Sequence, residues 1–162
     1  MNKRLMRAAL LACAGLGTLG AADANAKAKY VYSGQKYTYM YPSNGCLTLN
    51  MRLAMSIVFP AKLAANLNNT QVTAVSWTVN DGLHKFKDTE KKAIAPLRAV
   101  FSTDAAGHIT AWSIDSYYYA SNGIDLLYTT HSKNSGDYSD DNNCTPSSSI
   151  GSNFVPGTWK PN

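Results

Sequence analysis

Histidines, acidic clusters and cysteines are the residues of this 162-residue chain that could do chemistry. A Ser-His-Asp hydrolase needs a histidine base set against a serine, and His84, His108 and His131 are the only histidines. Each follows a turn or ends an apolar run, where an imidazole is ordinarily solvated, and no G-x-S-x-G elbow is present. Glu90 is the only glutamate and the aspartates fall mostly in turns, so paired catalytic carboxylates have no setting. No H-E-x-x-H, P-loop or G-x-G-x-x-G occurs, and no cofactor is expected. The stretch Asp137-Tyr138-Ser139-Asp140-Asp141-Asn142-Asn143 offers hard oxygen ligands, which makes Asp137, Asp140 and Asp141 a calcium candidate. It lacks the EF-hand spacing, and a solvated acidic loop is the alternative reading.

Tyrosine is the unusual element. Tyr37, Tyr39 and Tyr41 alternate with Lys36, Thr38 and Met40, and Tyr117-Tyr118-Tyr119 runs consecutively. Successive strand residues face opposite ways, so at least one ring of the second group must point outward unless both faces are covered. Exposed tyrosines are amphipathic contact surfaces, which makes Tyr37, Tyr39, Tyr41, Tyr117 and Tyr119 a candidate surface for a protein or glycan partner. Buried, they are core wall. Lys85, Lys87, Lys91 and Lys92 form a basic cluster broken by Asp88 and Glu90, a pattern of exposed hairpins more than of polyanion sites.

Location is legible in the first 26 residues. Lys3, Arg4 and Arg7 precede an apolar stretch from Ala8 to Leu19, and Ala24-Asn25-Ala26 supplies the small residues for cleavage before Lys27. Ala26-Lys27-Ala28 is a second cleavage option. The apolar stretch is too short to span a bilayer, and no later segment approaches the ~20 apolar residues a span needs. Leu10-Leu11-Ala12-Cys13 has the form of a lipobox, but it would cut the apolar region in half. An exported chain over 27–162 is therefore expected, periplasmic or secreted. Its formal charge falls from +5 to +3, because three bases and Asp23 leave with the signal. That excess is too mild to indicate a nucleic-acid binder. Cys46 and Cys144 then remain as an even pair and are expected to form a disulfide, closing a 98-residue loop worth up to about 4–5 kcal/mol.

The elements that must position these residues read as strands. Every odd position from Leu47 to Phe59 is apolar, a half-buried pattern that is long for one strand, so a bend or bulge near Arg52–Ala54, or a tilted strand in a highly curved sheet, is expected. Shorter alternations occur over 37–41, 74–79, 99–102, 108–114 and 124–129. Asn80-Asp81-Gly82 and Asp104-Ala105-Ala106-Gly107 are hairpin signals. Ala61–Leu67 and Thr89–Ala93 could each form a short helical turn. The Ser/Asn/Asp/Gly-rich stretch 132–153 shows no periodicity and is expected to be a long polar loop. The sum is one all-β domain: an antiparallel meander of seven to nine strands closing as a sandwich or a barrel.

Several of these segments carry a resemblance. Tyr30-Val31-Tyr32-Ser33-Gly34, then Leu63-Ala64-Ala65-Asn66-Leu67 before a Val-rich strand and Asn80-Asp81-Gly82, are similar to small exported bacterial proteins of the PEP-CTERM (exosortase-sorted) type. So are Phe101 to Ile114, a "TDA-x-G-x-I-x-x-W-x-I" hairpin, and the closing Pro156-Gly157-Thr158-Trp159. The Pro-Glu-Pro sorting motif, apolar helix and basic tail of those proteins do not follow here, so sorting to an anchor is not implied. The resemblance implies export and an all-β fold and names no catalytic residue. A non-enzymatic surface, matrix or binding module is the leading expectation. A small-ligand carrier with a closed barrel is second, and a secreted enzyme third.

Overall fold

A computed structural model describes residues 26–42, 45–89, 97–120, 123–132, 135–141 and 149–162. The signal segment, Cys144 and nearly all of the Thr89–Ala93 turn lie outside these. Twelve strands form two antiparallel sheets. The five-stranded sheet contains β1 (Ala28–Lys36), β3 (Arg52–Phe59), β5 (Ser76–Asn80), β6 (Lys85–Lys87) and β12 (Thr158–Pro161), in the order β12-β1-β3-β5-β6. The seven-stranded sheet contains β2 (Tyr39–Tyr41), β4 (Thr70–Gln71), β7 (Arg98–Thr103), β8 (Ile109–Ala120), β9 (Gly123–Ser132), β10 (Ser135–Asp141) and β11 (Ser149–Asn153), ordered β2-β11-β10-β9-β8-β7-β4. The meander expected from the hairpin signals is the run β7 to β11. Apart from the β5–β6 hairpin, the remaining connections cross between sheets, and the result is a sandwich, so the closed barrel is ruled out.

Alternation builds the core. Leu53, Met55, Ile57 and Phe59 of β3 face inward with Trp77 and Val79 of β5, and they meet Ala99, Phe101, Ile114 and Tyr118 of the other sheet. Aromatic edges lock the layers together: Phe59 sits 5.8 Å from Tyr30 and 5.6 Å from Phe101, and Trp77 lies 5.8 Å from Tyr118. Fully burying each such ring contributes about 1.5–3 kcal/mol.

The long apolar alternation is interrupted just before the expected position, at 48–51 and not within Arg52–Ala54. Thr48 to Met51 make a turn closed by Met51 N–H on the Thr48 carbonyl, and β3 begins only at Arg52. Opposite Leu53, β1 bulges between Ser33 and Lys36. Both hairpins form, with positive φ at Gly82 and Gly107.

Two expectations are corrected. Ala61–Leu67 is not helical: Thr103 Oγ1 donates to the Ala64 carbonyl at 2.7 Å and accepts from Leu67 N–H at 2.9 Å, while Asn66 N–H binds the Asp104 carbonyl. A β-strand's side chain and backbone thus take the groups a helix would pair internally. The polar stretch 132–153 is not one long loop, since it supplies β10 and β11. Its periodicity is hidden because its inward positions are Asp137, Ser139, Asp141, Ser149 and Gly151 rather than apolar residues. No helix among the described residues is long and apolar enough to cross a membrane.

Thr103→Val keeps the shape but leaves the Ala64 carbonyl and Leu67 N–H unpartnered. Urea unfolding is expected to show a loss of about 1–3 kcal/mol with an unchanged m-value, whereas Thr70→Val, at an exposed bond, stays within about 0.5 kcal/mol.

Candidate functional site

Residues paired across antiparallel strands share a face, so the register defines what the seven-stranded sheet presents to solvent. One row across the outer face reads Tyr41, Ile150, Asp140, Leu126, Tyr117. The next reads Tyr39, Ser152, Tyr138, Tyr128, Asp115. With strands about 4.8 Å apart, each row spans about 19 Å. Tyr39, Tyr41, Tyr117 and Tyr119 are 40–63% exposed. Tyr128 and Tyr138 stack with ring centroids 5.0 Å apart and planes 18° apart. Phe154, 65% exposed beyond β11, joins Tyr39, Tyr128, Tyr138, Ile150 and Ser152 in lining a cleft of about 380 Å³. Four of the five tyrosines in the candidate surface are therefore on one outer face, and Tyr138, Tyr128 and Phe154 complete it.

Tyr37 does not belong to that surface. The chain crosses between sheets at Tyr37 and Thr38, whose N–H groups bind the Met51 and Ser152 carbonyls. This turns the ring inward, where it is 2% exposed. Its hydroxyl donates to the Asp81 carbonyl at 3.1 Å, and its ring lies so close to Gly151 that a Cβ there would stand 2.8 Å from it. Burial raises its pKa.

The calcium candidates Asp137, Asp140 and Asp141 lie on β10. Alternation along β10 turns Asp137 and Asp141 inward and leaves Asp140 on the outer face, so the three carboxylates do not converge. Asp137 ends a chain of donors that crosses the sandwich. Trp112 Nε1 donates to Thr129 Oγ1 (3.1 Å), Thr129 to the Tyr32 hydroxyl (2.9 Å), and Tyr32 to Asp137 Oδ1 (2.5 Å). Gly157 N–H also binds the Tyr32 hydroxyl at 2.7 Å. The other oxygen, Oδ2, is buried without a hydrogen-bond partner and sits where a Cβ on Gly34 would be, 2.0 Å away. Burial therefore outweighs the donors and pushes the Asp137 pKa up to about 6, while burial and the adjacent carboxylate raise that of Tyr32.

A second inward cluster was not legible in the sequence. Asp81 Oδ1 accepts from the N–H groups of Leu83 (2.8 Å) and His84 (2.6 Å), Ser139 Oγ donates to Asp81 Oδ2 (3.1 Å), and His84 Nδ1 lies 2.7 Å from Asp141 Oδ2. Ligand atoms of Asp81, His84 and Asp141 fall within 4.8 Å of one another, a set that could hold a cation. Its visible work is mechanical, clamping the β5–β6 hairpin onto β10. Ser139 is bonded to a carboxylate and not to the imidazole, so no serine nucleophile faces a histidine base there. The only signal was Asp-Gly-x-His at the hairpin; the partners are 55 or more residues away. Of the other histidines, His108 donates its backbone N–H to Asp104 Oδ1 at 2.8 Å and sets its ring nitrogen 3.0 Å from Oδ2, which together hold that carboxyl below its usual range, and His131 lies against Trp112.

Cys46 is half-buried and disulfide-bonded. Its neighbour Leu47 donates its N–H to Ser149 Oγ at 3.2 Å, which brings this segment to the start of β11. Comparison of the chain with protein-family models, curated proteins and solved structures gives no match.

Two measurements probe the inner network. Tyr32→Phe removes the donor to Asp137 and the acceptor for Gly157, and is expected to cost about 2–4 kcal/mol in urea unfolding. Asp137 binds its proton more tightly in the folded state than the ordinary value of 3.8 allows in the unfolded chain. Its stabilising contribution is therefore complete below that value and is lost as pH rises through about 6. The Tm advantage of the native protein over Asp137→Asn should shrink between about pH 4 and pH 7, and an advantage that grows would contradict the assignment.

Proposed function

We propose that the protein is an exported, non-enzymatic binding module that holds a glycan on the outer face of its seven-stranded sheet. The observation that carries this reading is the pair of cross-strand rows bearing Tyr39, Tyr41, Tyr117, Tyr128 and Tyr138, with the cleft that Phe154 completes. Flat aromatic faces pack against the C–H surfaces of sugar rings, and phenolic hydroxyls and the Asp140 carboxylate bond sugar hydroxyls. Strands β2 and β8 to β11 contain no lysine or arginine, which favours an uncharged chain over a polyanion. The similarity to exported PEP-CTERM-type proteins, the N-terminal signal pattern and the disulfide at Cys46 support a location outside the cytoplasm.

Affinity electrophoresis in gels containing neutral polysaccharides is the test. Retardation is expected for the native protein, with Tyr39→Ser and Tyr138→Ser each weakening it about tenfold. No retardation by any glycan, or turnover of a substrate in an esterase, glycosidase and protease panel, would reject the reading. Mass spectrometry of the protein from its producing cell, without reductant, should give residues 27–162 less two hydrogens.

A further inference from the structure

The two sheets carry opposite charge. Strands of the five-stranded sheet contain Lys29, Lys36, Arg52, Lys85, Lys87 and Lys160 and no acidic residue. Strands of the seven-stranded sheet contain five aspartates against Arg98 alone. All six cations of the first sheet are exposed, and none is in an ion pair among the described residues. Alternation puts them on its outer face: Lys29 and Arg52 flank inward Tyr30 and Leu53, Lys85 and Lys87 flank Phe86, and Lys160 pairs with Val31 opposite inward Trp159. Lys36 stands directly across from Arg52, a like-charge pairing that works against the sheet. Between the cations the same face carries Val31, Ser33, Ala54, Ser56, Val58 and Thr78.

We propose that this face docks the protein on an anionic phospholipid bilayer. Charge complementarity calls for a partner dense in negative groups, and the shape selects among such partners. The outer positions hold no aromatic ring on which a nucleobase could stack. Among the described residues there is no helix to enter a duplex groove. A planar array of headgroup phosphates suits a sheet face that carries six exposed cations and no acidic residue, and lysines gain from such a surface within a Debye length. The reading is independent of the glycan proposal, because it uses the opposite sheet.

Co-sedimentation with phosphatidylcholine vesicles, with and without phosphatidylglycerol, tests it. Binding is expected only with phosphatidylglycerol and should weaken as salt rises. Lys29→Gln, Lys87→Gln and Lys160→Gln should each lower the partition coefficient about fivefold, while Lys62→Gln, beside the β7–β8 hairpin, leaves it unchanged. These exposed substitutions are checked for folding by far-UV circular dichroism. Absence of phosphatidylglycerol-dependent binding, or binding indifferent to all three lysines, would overturn the proposal. Tighter binding to DNA than to the vesicles at the same salt would replace the bilayer with a nucleic acid.

Discussion

A tyrosine hydroxyl held against a buried carboxylate is the joint on which this sandwich turns. Tyr32 comes from the centre of one sheet and Asp137 from the other, and the hydroxyl between them also receives Thr129 and the Gly157 amide. A carboxylate inside a protein is costly unless donors converge on it. The fold supplies one strong donor, leaves the second oxygen bare, and accommodates the group by bulging β1 at Gly34, where any side chain would collide with it. Strand β1, the bulge, the β11–β12 connection and the inner faces of β8, β9 and β10 are all set by this one contact.

That joint also divides the interior. On one side lies an ordinary apolar core, dominated by interlocked aromatic edges. On the other, from Thr129 through β10 and β11, the inner face is hydroxyl, carboxylate and glycine, satisfied by Tyr37, Asp81 and His84. Polar networks of this kind specify one arrangement more than they add stability, because each member has few alternative partners. The tyrosine face rests on the outside of these same strands, so its geometry depends on a polar interior and not on an apolar one.

This explains what the sequence could and could not reveal. Strands β3 and β5 were readable because their buried positions are apolar and alternate, β9 was readable from Leu126 and Tyr128 although these face outward and Leu127 and Thr129 are the buried positions, and both hairpins announced themselves through Asp and Gly. Strands β10 and β11 were not, since Asp137, Ser139 and Asp141 occupy the positions where alternation is sought. The tyrosines were singled out by number and spacing, yet Tyr37 separated from Tyr39 and Tyr41 because the crossover between sheets falls between them, a feature of topology alone. Charge misled by averaging: a formal excess of +5 conceals one sheet with only cations and another with mostly anions.

The open edges of the two sheets carry a consequence for self-association. An exposed strand edge is a template for pairing with the next molecule. Here the seven-stranded sheet ends in strands of three and two residues, β2 and β4, too short to recruit a neighbour. The five-stranded sheet ends in Lys-Phe-Lys at β6 and in Thr-Trp-Lys-Pro at β12, where charge repels a second edge and Pro161 offers no amide hydrogen. All four described borders thus offer a poor template for edge-to-edge pairing.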